Sequence, residues 1–186
     1  MFMLSSIRPQ TAAVALLLTA AAFGGCKKDV VLKTLDVTLK TQLPMTVDAM
    51  APLTGTWSQE LDPDGNADVR DNRTKIKKVV VERLSFKVLD FIGTTGALAS
   101  GTWRIHPADA PSEVLAVATI SNLDLAARHA DQQVQDLPLS EEAKSKIVDL
   151  INNKRKLTLA FEGAVTQRPV YAEYEISIAT KIEVGL

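Results

Sequence analysis

Glu173-Tyr174-Glu175-Ile176-Ser177-Ile178-Ala179-Thr180-Lys181-Ile182-Glu183-Val184 has the cleanest alternation in the 186-residue sequence. Tyr174, Ile176, Ile178, Ile182 and Val184 fall on one side, and Glu173, Glu175, Ser177, Lys181 and Glu183 on the other. A period of two is that of a β-strand, whose successive side chains point to opposite faces. This strand therefore needs one dry face and one wet face, which a sheet packed against a second layer provides.

Upstream, Leu157, Leu159 and Phe161 alternate with Thr158, Ala160 and Glu162 as a second strand. Before it lies the one clear helix. Ser140 can cap free amides, Glu141 and Glu142 suit the positive end, and Ala143, Ile147, Leu150 and Ile151 form an apolar stripe. Asn152-Asn153 stops the helix, and Lys154-Arg155-Lys156 suit its negative end.

Toward the N-terminus the sequence predicts a strand at Leu35, Val37 and Leu39, interrupted by Pro44, then a short edge strand at Met45-Thr46-Val47. A brief strand Thr56–Leu61 precedes the turn formers of 62–68 and a helical turn at Val69–Arg73. A long strand runs from Lys75 to Phe91. Ile76, Val80, Leu84, Phe86 and Val88 share a parity, and Glu82 marks a bulge. Gly93-Thr94-Thr95-Gly96 reads as a hairpin connection to Leu98–His106. Val114–Ser121 is apolar on both faces and reads as a covered central strand, followed by a short helical stretch, Leu123–Arg128. Seven or eight strands with short turns predict an antiparallel β-sandwich, immunoglobulin-like or related, its neighbouring strands paired and a helical insertion before the last two strands capping one end.

The first 25 residues form a leader. Arg8 stands in a short n-region, an apolar run extends from about Ala12 to Phe23, and Gly24-Gly25 precede Cys26. Spanning a bilayer takes roughly 20 apolar residues, and the run is shorter. Phe23-Gly24-Gly25-Cys26 resembles the bacterial lipoprotein signal, with Phe where Leu is usual. That resemblance implies cleavage before Cys26, a diacylglyceryl thioether on its sulfur and an acylated amino terminus, so that several chains anchor the protein to the membrane. Lys27, in place of the Asp linked to inner-membrane retention, directs the expectation to the outer membrane. The organisation expected is thus a signal peptide, 1–25, a lipidated cysteine with a short tether, 26–29, and a single domain, 30–186.

Arg8 is the leader's only charged side chain, so the mature chain carries 22 acidic and 20 basic residues. Such a balance gives no reason to expect nucleic acid as a partner. Cys26 is the sole cysteine, so its lipidation leaves no thiol for disulfides or cysteine-ligated zinc.

Asp62, Asp64, Asn66 and Asp68 are spaced by two, and Asp62-x-Asp64-Gly65-Asn66 copies the opening of an EF-hand loop. Calcium takes six or more oxygens. Ala67 holds the place of the sharp-turn glycine and Arg73 that of the bidentate glutamate. The set is a calcium candidate, and a solvated Asx-type turn is the preferred reading. His106 and His129, the only histidines, make a poor zinc set without cysteines. Neither a Gly-x-Ser-x-Gly elbow nor a Gly-Lys-Ser/Thr phosphate loop is present; Ser100-Gly101-Thr102 reads as strand and Gly93–Gly96 as turn. Lys75, Lys77, Lys78 and Arg83 read as a solvated strand edge, with anionic lipid or lipopolysaccharide as the alternative. Asn72-Arg73-Thr74 matches a glycosylation sequon by coincidence, and Trp57 and Trp103 are expected in the core.

In outline the mature part is similar to β-sandwich lipoproteins of Gram-negative, Bacteroidetes-like bacteria. The likeness lies in Lys75-Ile76-Lys77-Lys78, Ser100-Gly101-Thr102, Asn122-Leu123-Asp124-Leu125 and the amphipathic last strand. It implies no assigned activity. The function expected is a non-enzymatic, lipid-anchored envelope protein that serves as a structural or binding module, with another envelope protein, a glycan or a lipid as partner. A calcium-dependent binding module using 62–68 and a hydrolase with an unrecognised site are the alternatives.

Overall fold

The computed structural model describes residues 31–185, so the expected leader, Cys26 and the expected tether lie outside the described residues. Eight strands follow in order: β1 (Val31–Val47), β2 (Thr54–Leu61), β3 (Ile76–Gly93), β4 (Leu98–Pro107), β5 (Leu115–Asp124), β6 (Gln135–Leu137), β7 (Leu157–Val165) and β8 (Val170–Gly185). Three helices join them: α1 (Ala67–Asn72), α2 (Leu125–Asp131) and α3 (Glu141–Asn152). Sheet A has the order β1-β8-β3-β6 and sheet B the order β2-β7-β4-β5, all antiparallel. The β-sandwich expected from the alternation is therefore present. Its pairs nest, β1 with β8, β2 with β7, β3 with β6 and β4 with β5, which is the wrapping of a jelly roll rather than of an immunoglobulin domain.

The alternating stretch 173–184 lies in β8, a central strand of sheet A. Val170, Ala172, Tyr174, Ile176, Ile178, Thr180, Ile182 and Val184 of β8 are all buried. The one polar group among these side chains besides the Tyr174 hydroxyl is accounted for, since Thr180 Oγ1 donates to Val37 O at 3.1 Å. Burying each large aliphatic contributes about 1.5–3 kcal/mol, which is why this register is fixed.

Three sequence expectations are corrected by the topology. β3 and β4 are not a hairpin: the Gly93–Gly96 turn carries the chain from sheet A to sheet B. Phe86 of β3 consequently faces Trp103 of β4 across the core, ring centroids 5.5 Å apart, instead of lying beside it. Val114–Ser121 contributes to β5, an edge strand, and Val114 and Ala116 are exposed. Pro44 does not end β1. That strand is an edge of sheet A, where a missing amide hydrogen costs no ladder bond, and Leu43 and Met45 are buried on either side of an exposed Pro44.

In β3 the bulge expected at Glu82 is present, and two more fall at Lys77 and Leu89. Each extra residue flips the parity of the strand beyond it. Between the first two bulges Val79 and Val81 therefore turn inward and Val80 outward, contrary to the single parity expected; after Glu82 the inward set is Leu84, Phe86 and Val88.

Sheet B owes its packing to two rows of paired residues. Trp57, Phe161 and Trp103 stand opposite one another across β2, β7 and β4; beside them Gly55, Gly163 and Gly101 do the same. The glycines leave room for the rings: a β-carbon at Gly101 would lie 2.7 Å from Phe161 Cζ, and one at Gly55 2.9 Å from Trp57 Cζ2. Tyr174 and Phe86 complete the cluster from sheet A, with Trp103 and Tyr174 edge to face at 5.7 Å. Both tryptophans thus belong to the packing, Trp103 fully buried and Trp57 half-buried.

The two sides of the sandwich close differently. Between β1 and β2, Trp57 Nε1 donates to Thr46 O at 3.1 Å and Thr41 Oγ1 to Glu60 O at 3.1 Å. Opposite, the insertion between β5 and β7 adds β6 to sheet A, while α2 and α3 pack along β3. It closes a side rather than an end. α3 is the helix read from the sequence: Ser140 Oγ accepts from Ala143 N at 3.1 Å, and Ala143, Ile147, Leu150 and Ile151 are the buried positions.

Candidate functional site

The acidic loop is drawn into helix capping. Asp62 Oδ1 accepts from Asp64 N at 2.9 Å and opens the 3-10 turn Pro63–Gly65. Asn66 Oδ1 accepts from Asp68 N at 2.9 Å and Val69 N at 3.3 Å, capping α1. Asp64 instead reaches Arg73: Oδ1 lies 2.6 Å from Nη2, and the Arg73 side chain is only 8% exposed. The same guanidinium donates through Nη1 to Ile151 O, 2.5 Å away, in the last turn of α3. Arg73, in the place an EF-hand gives to glutamate, thereby ties the loop to α3. A cation at a helix C-terminus is favourable, and a buried guanidinium persists only with such partners. Among the described residues no three His, Cys, Asp or Glu side chains gather as a metal set.

A second candidate lies on the outer face of sheet B, where sequence reading placed nothing. Thr54, Thr56, Ser100, Thr102, Arg104 and Glu162 line an open groove of about 500 Å³. Cross-strand register builds it: Thr56, Glu162, Thr102 and Thr119 form one row over β2, β7, β4 and β5. Arg104 Nε lies 2.6 Å from Glu162 Oε2, and Thr102 and Thr119 share a hydroxyl hydrogen bond of 3.2 Å. Ser100 Oγ accepts from Asn122 N at 2.8 Å, so that hydroxyl serves the β4–β5 edge. Period-two alternation could have grouped these hydroxyls strand by strand; their neighbours across the sheet follow only from the topology.

The remaining sequence candidates are dispersed. His106 Nδ1 meets Pro107 O at 2.8 Å on β4, whereas His129 Nδ1 meets Gln132 Nε2 at 3.4 Å on α2. Lys78 pairs with Glu183 at 3.6 Å and Arg83 with Asp136 at 3.7 Å, both across the outside of sheet A. Asp109 and Tyr174 are among the ionisable groups that depart from their ordinary values for structural reasons. The Arg155 guanidinium holds the Asp109 carboxyl below the usual range, joined to it through Nε at 3.0 Å and Nη2 at 2.6 Å. Burial raises the Tyr174 phenol, whose hydroxyl faces Met45 Sδ at 3.8 Å.

No family model matches the chain, and no curated protein does. Among solved structures it is similar to a chain of Desmodium yellow mottle tymovirus, at 11% identity over 99% of this chain and 95% of that one, with a TM-score of 0.33. Turnip yellow mosaic virus follows at 15% identity, over 96% and 92% of the two chains, with a TM-score of 0.26. At that overlap neither neighbour bears on what this chain does, and a shared fold does not carry a function.

Proposed function

We propose that the chain is a lipid-anchored protein of the cell envelope, held at the outer membrane by acyl chains on Cys26, and that it acts as a non-enzymatic binding module. The observation that carries this reading is the apolar leader ending Phe23-Gly24-Gly25-Cys26, only four residues before β1 begins at Val31. An extended chain covers about 3.3–3.6 Å per residue, so such a tether holds the start of the sandwich within roughly 18 Å of the modified cysteine. The binding surface in this reading is the groove of Thr54, Thr56, Thr102, Arg104 and Glu162. Its hydroxyl rows and single ion pair suit a hydroxyl-rich polar ligand, such as an envelope glycan, better than an apolar one.

Replacing Cys26 by Ser is the test. Membrane fractionation should shift the protein from the pelleted envelope to the soluble fraction or to an unprocessed precursor, and mass spectrometry of the wild-type N-terminal peptide should find the diacylglyceryl mass. Equal membrane recovery of both forms, with an unmodified wild-type peptide, refutes the anchor.

A further inference from the structure

β1 begins, β3 begins and β8 ends at the same extremity of sheet A, where Val31 pairs with Gly185 and Ile76 with Val184. Lys33, Lys75, Lys77 and Lys78 all stand there, on the two strands flanking β8 and on the residue leading into β3. Lys33 and Lys75 are exposed and have no carboxylate partner among the described residues; Lys78 is loosely paired with Glu183 at 3.6 Å. The next charges along the sheet offset one another, Lys181 lying 2.5 Å from Glu82 and feeling Asp36. In sequence Lys27 and Lys28 join this group, against Asp29 alone. The opposite extremity, about 50 Å away along the 16 residues of β8, presents exposed Met50 and Ile92 instead.

We propose that the lysine-rich end of sheet A rests on the anionic headgroup surface of the leaflet that holds the Cys26 acyl chains, so that the sandwich stands end-on. This rests on the anchored reading above. Tether length and charge jointly select the occupant. Four residues keep this end within roughly 18 Å of the bilayer. An anionic surface attracts lysines within a Debye length, about 8–10 Å at ordinary salt, and lysine ammoniums act as point charges that need no shaped partner. A flat-lying sandwich would instead press the mixed-charge outer face of sheet A, with its Lys40–Glu175 pair at 3.0 Å, against the same surface.

The test uses the full chain, processed and lipidated by its host, in phosphatidylcholine vesicles with or without phosphatidylglycerol at about a third of the lipid. An amine-reactive reagent followed by mass spectrometry reads the labelling of Lys33, Lys75 and Lys78 against Lys87, nine positions along β3 from Lys78. On anionic vesicles the three end lysines should be protected about fivefold or more, the factor one lysine is worth near such a surface. Neutral vesicles or molar salt should abolish that protection, and Lys87 should not change. Equal protection on neutral vesicles assigns it to tether proximity and overturns the proposal. Protection of Lys87 to the same degree overturns the end-on placement. Flotation reports the anchor separately: floated protein with even labelling removes only the contact, whereas failure to float removes the anchor and the contact with it.

Discussion

Replacing Gly101 by alanine tests whether the glycine row is what lets sheet B close over its aromatics. A β-carbon there would lie 2.5 Å from Glu162 O, 2.6 Å from Gly163 Cα and 2.7 Å from Phe161 Cζ. Ordinary contacts for such pairs begin near 3.4 Å, so each neighbour would have to yield by about 0.7–0.9 Å. Two of the three belong to the backbone of β7, which Gly101 faces directly in register and which cannot swing aside as a side chain would. The third is a ring held between Trp57 and Trp103. Overpacking of this kind costs about 1–3 kcal/mol, and the upper end applies where backbone must move. Restricting the unfolded chain returns about 0.4–1 kcal/mol. The net expectation is a loss of about 2 kcal/mol, equivalent to a fall in melting temperature of roughly 4–8 °C for a domain of this size. Urea unfolding followed by tryptophan fluorescence is the assay, because Trp57 and Trp103, the only tryptophans, both adjoin the site. Gly65→Ala is the control, since nothing lies within 4 Å of its added carbon. A Gly101→Ala midpoint indistinguishable from that control refutes the reasoning.

Arg73→Ala removes the tie between the 62–68 loop and α3, leaving an Asp64 oxygen and the Ile151 carbonyl without their cation. Asp64 is 40% exposed and recovers some hydration, so the expected loss is about 1–3 kcal/mol; hydrogen exchange should quicken first in the last turn of α3. No change at either readout would show the guanidinium to be a bystander. Asp109 contributes through its depressed carboxyl, whose stabilisation is complete above the ordinary carboxylate value and is lost as pH falls through the lowered one. Urea midpoints of wild type and Asp109→Asn should therefore differ by a constant amount at neutral pH and converge below about pH 4; a gap that widens on acidification would contradict the sign.

Local pattern made the elements of this protein readable. The alternation of β8, the Ser140 cap with its apolar stripe, the bulge at Glu82 and the turn at 62–68 each follow from residues within a few positions of one another, and each recurs in the structure. The proposed leader and lipobox at Cys26 are read in the same way, from contiguous residues.

Only the tertiary structure decided which strands meet. The pairs β1–β8, β2–β7 and β3–β6 join residues far apart in the chain, and no local preference encodes a partner that loop closure and burial select together. That is why Gly93–Gly96 resembled a hairpin and proved a crossing between sheets, and why the apolar run at 114–121 became an edge. It is also why Arg73 was invisible as the keeper of the acidic loop: its second partner, Ile151 O, lies 78 positions away. The sequence by itself determined most of the strands and the capped helix α3, because those choices turn on the chemistry of near neighbours. The glycine and aromatic rows, the hydroxyl groove and the lysine-rich end arise from register between distant strands, and only folding sets that register.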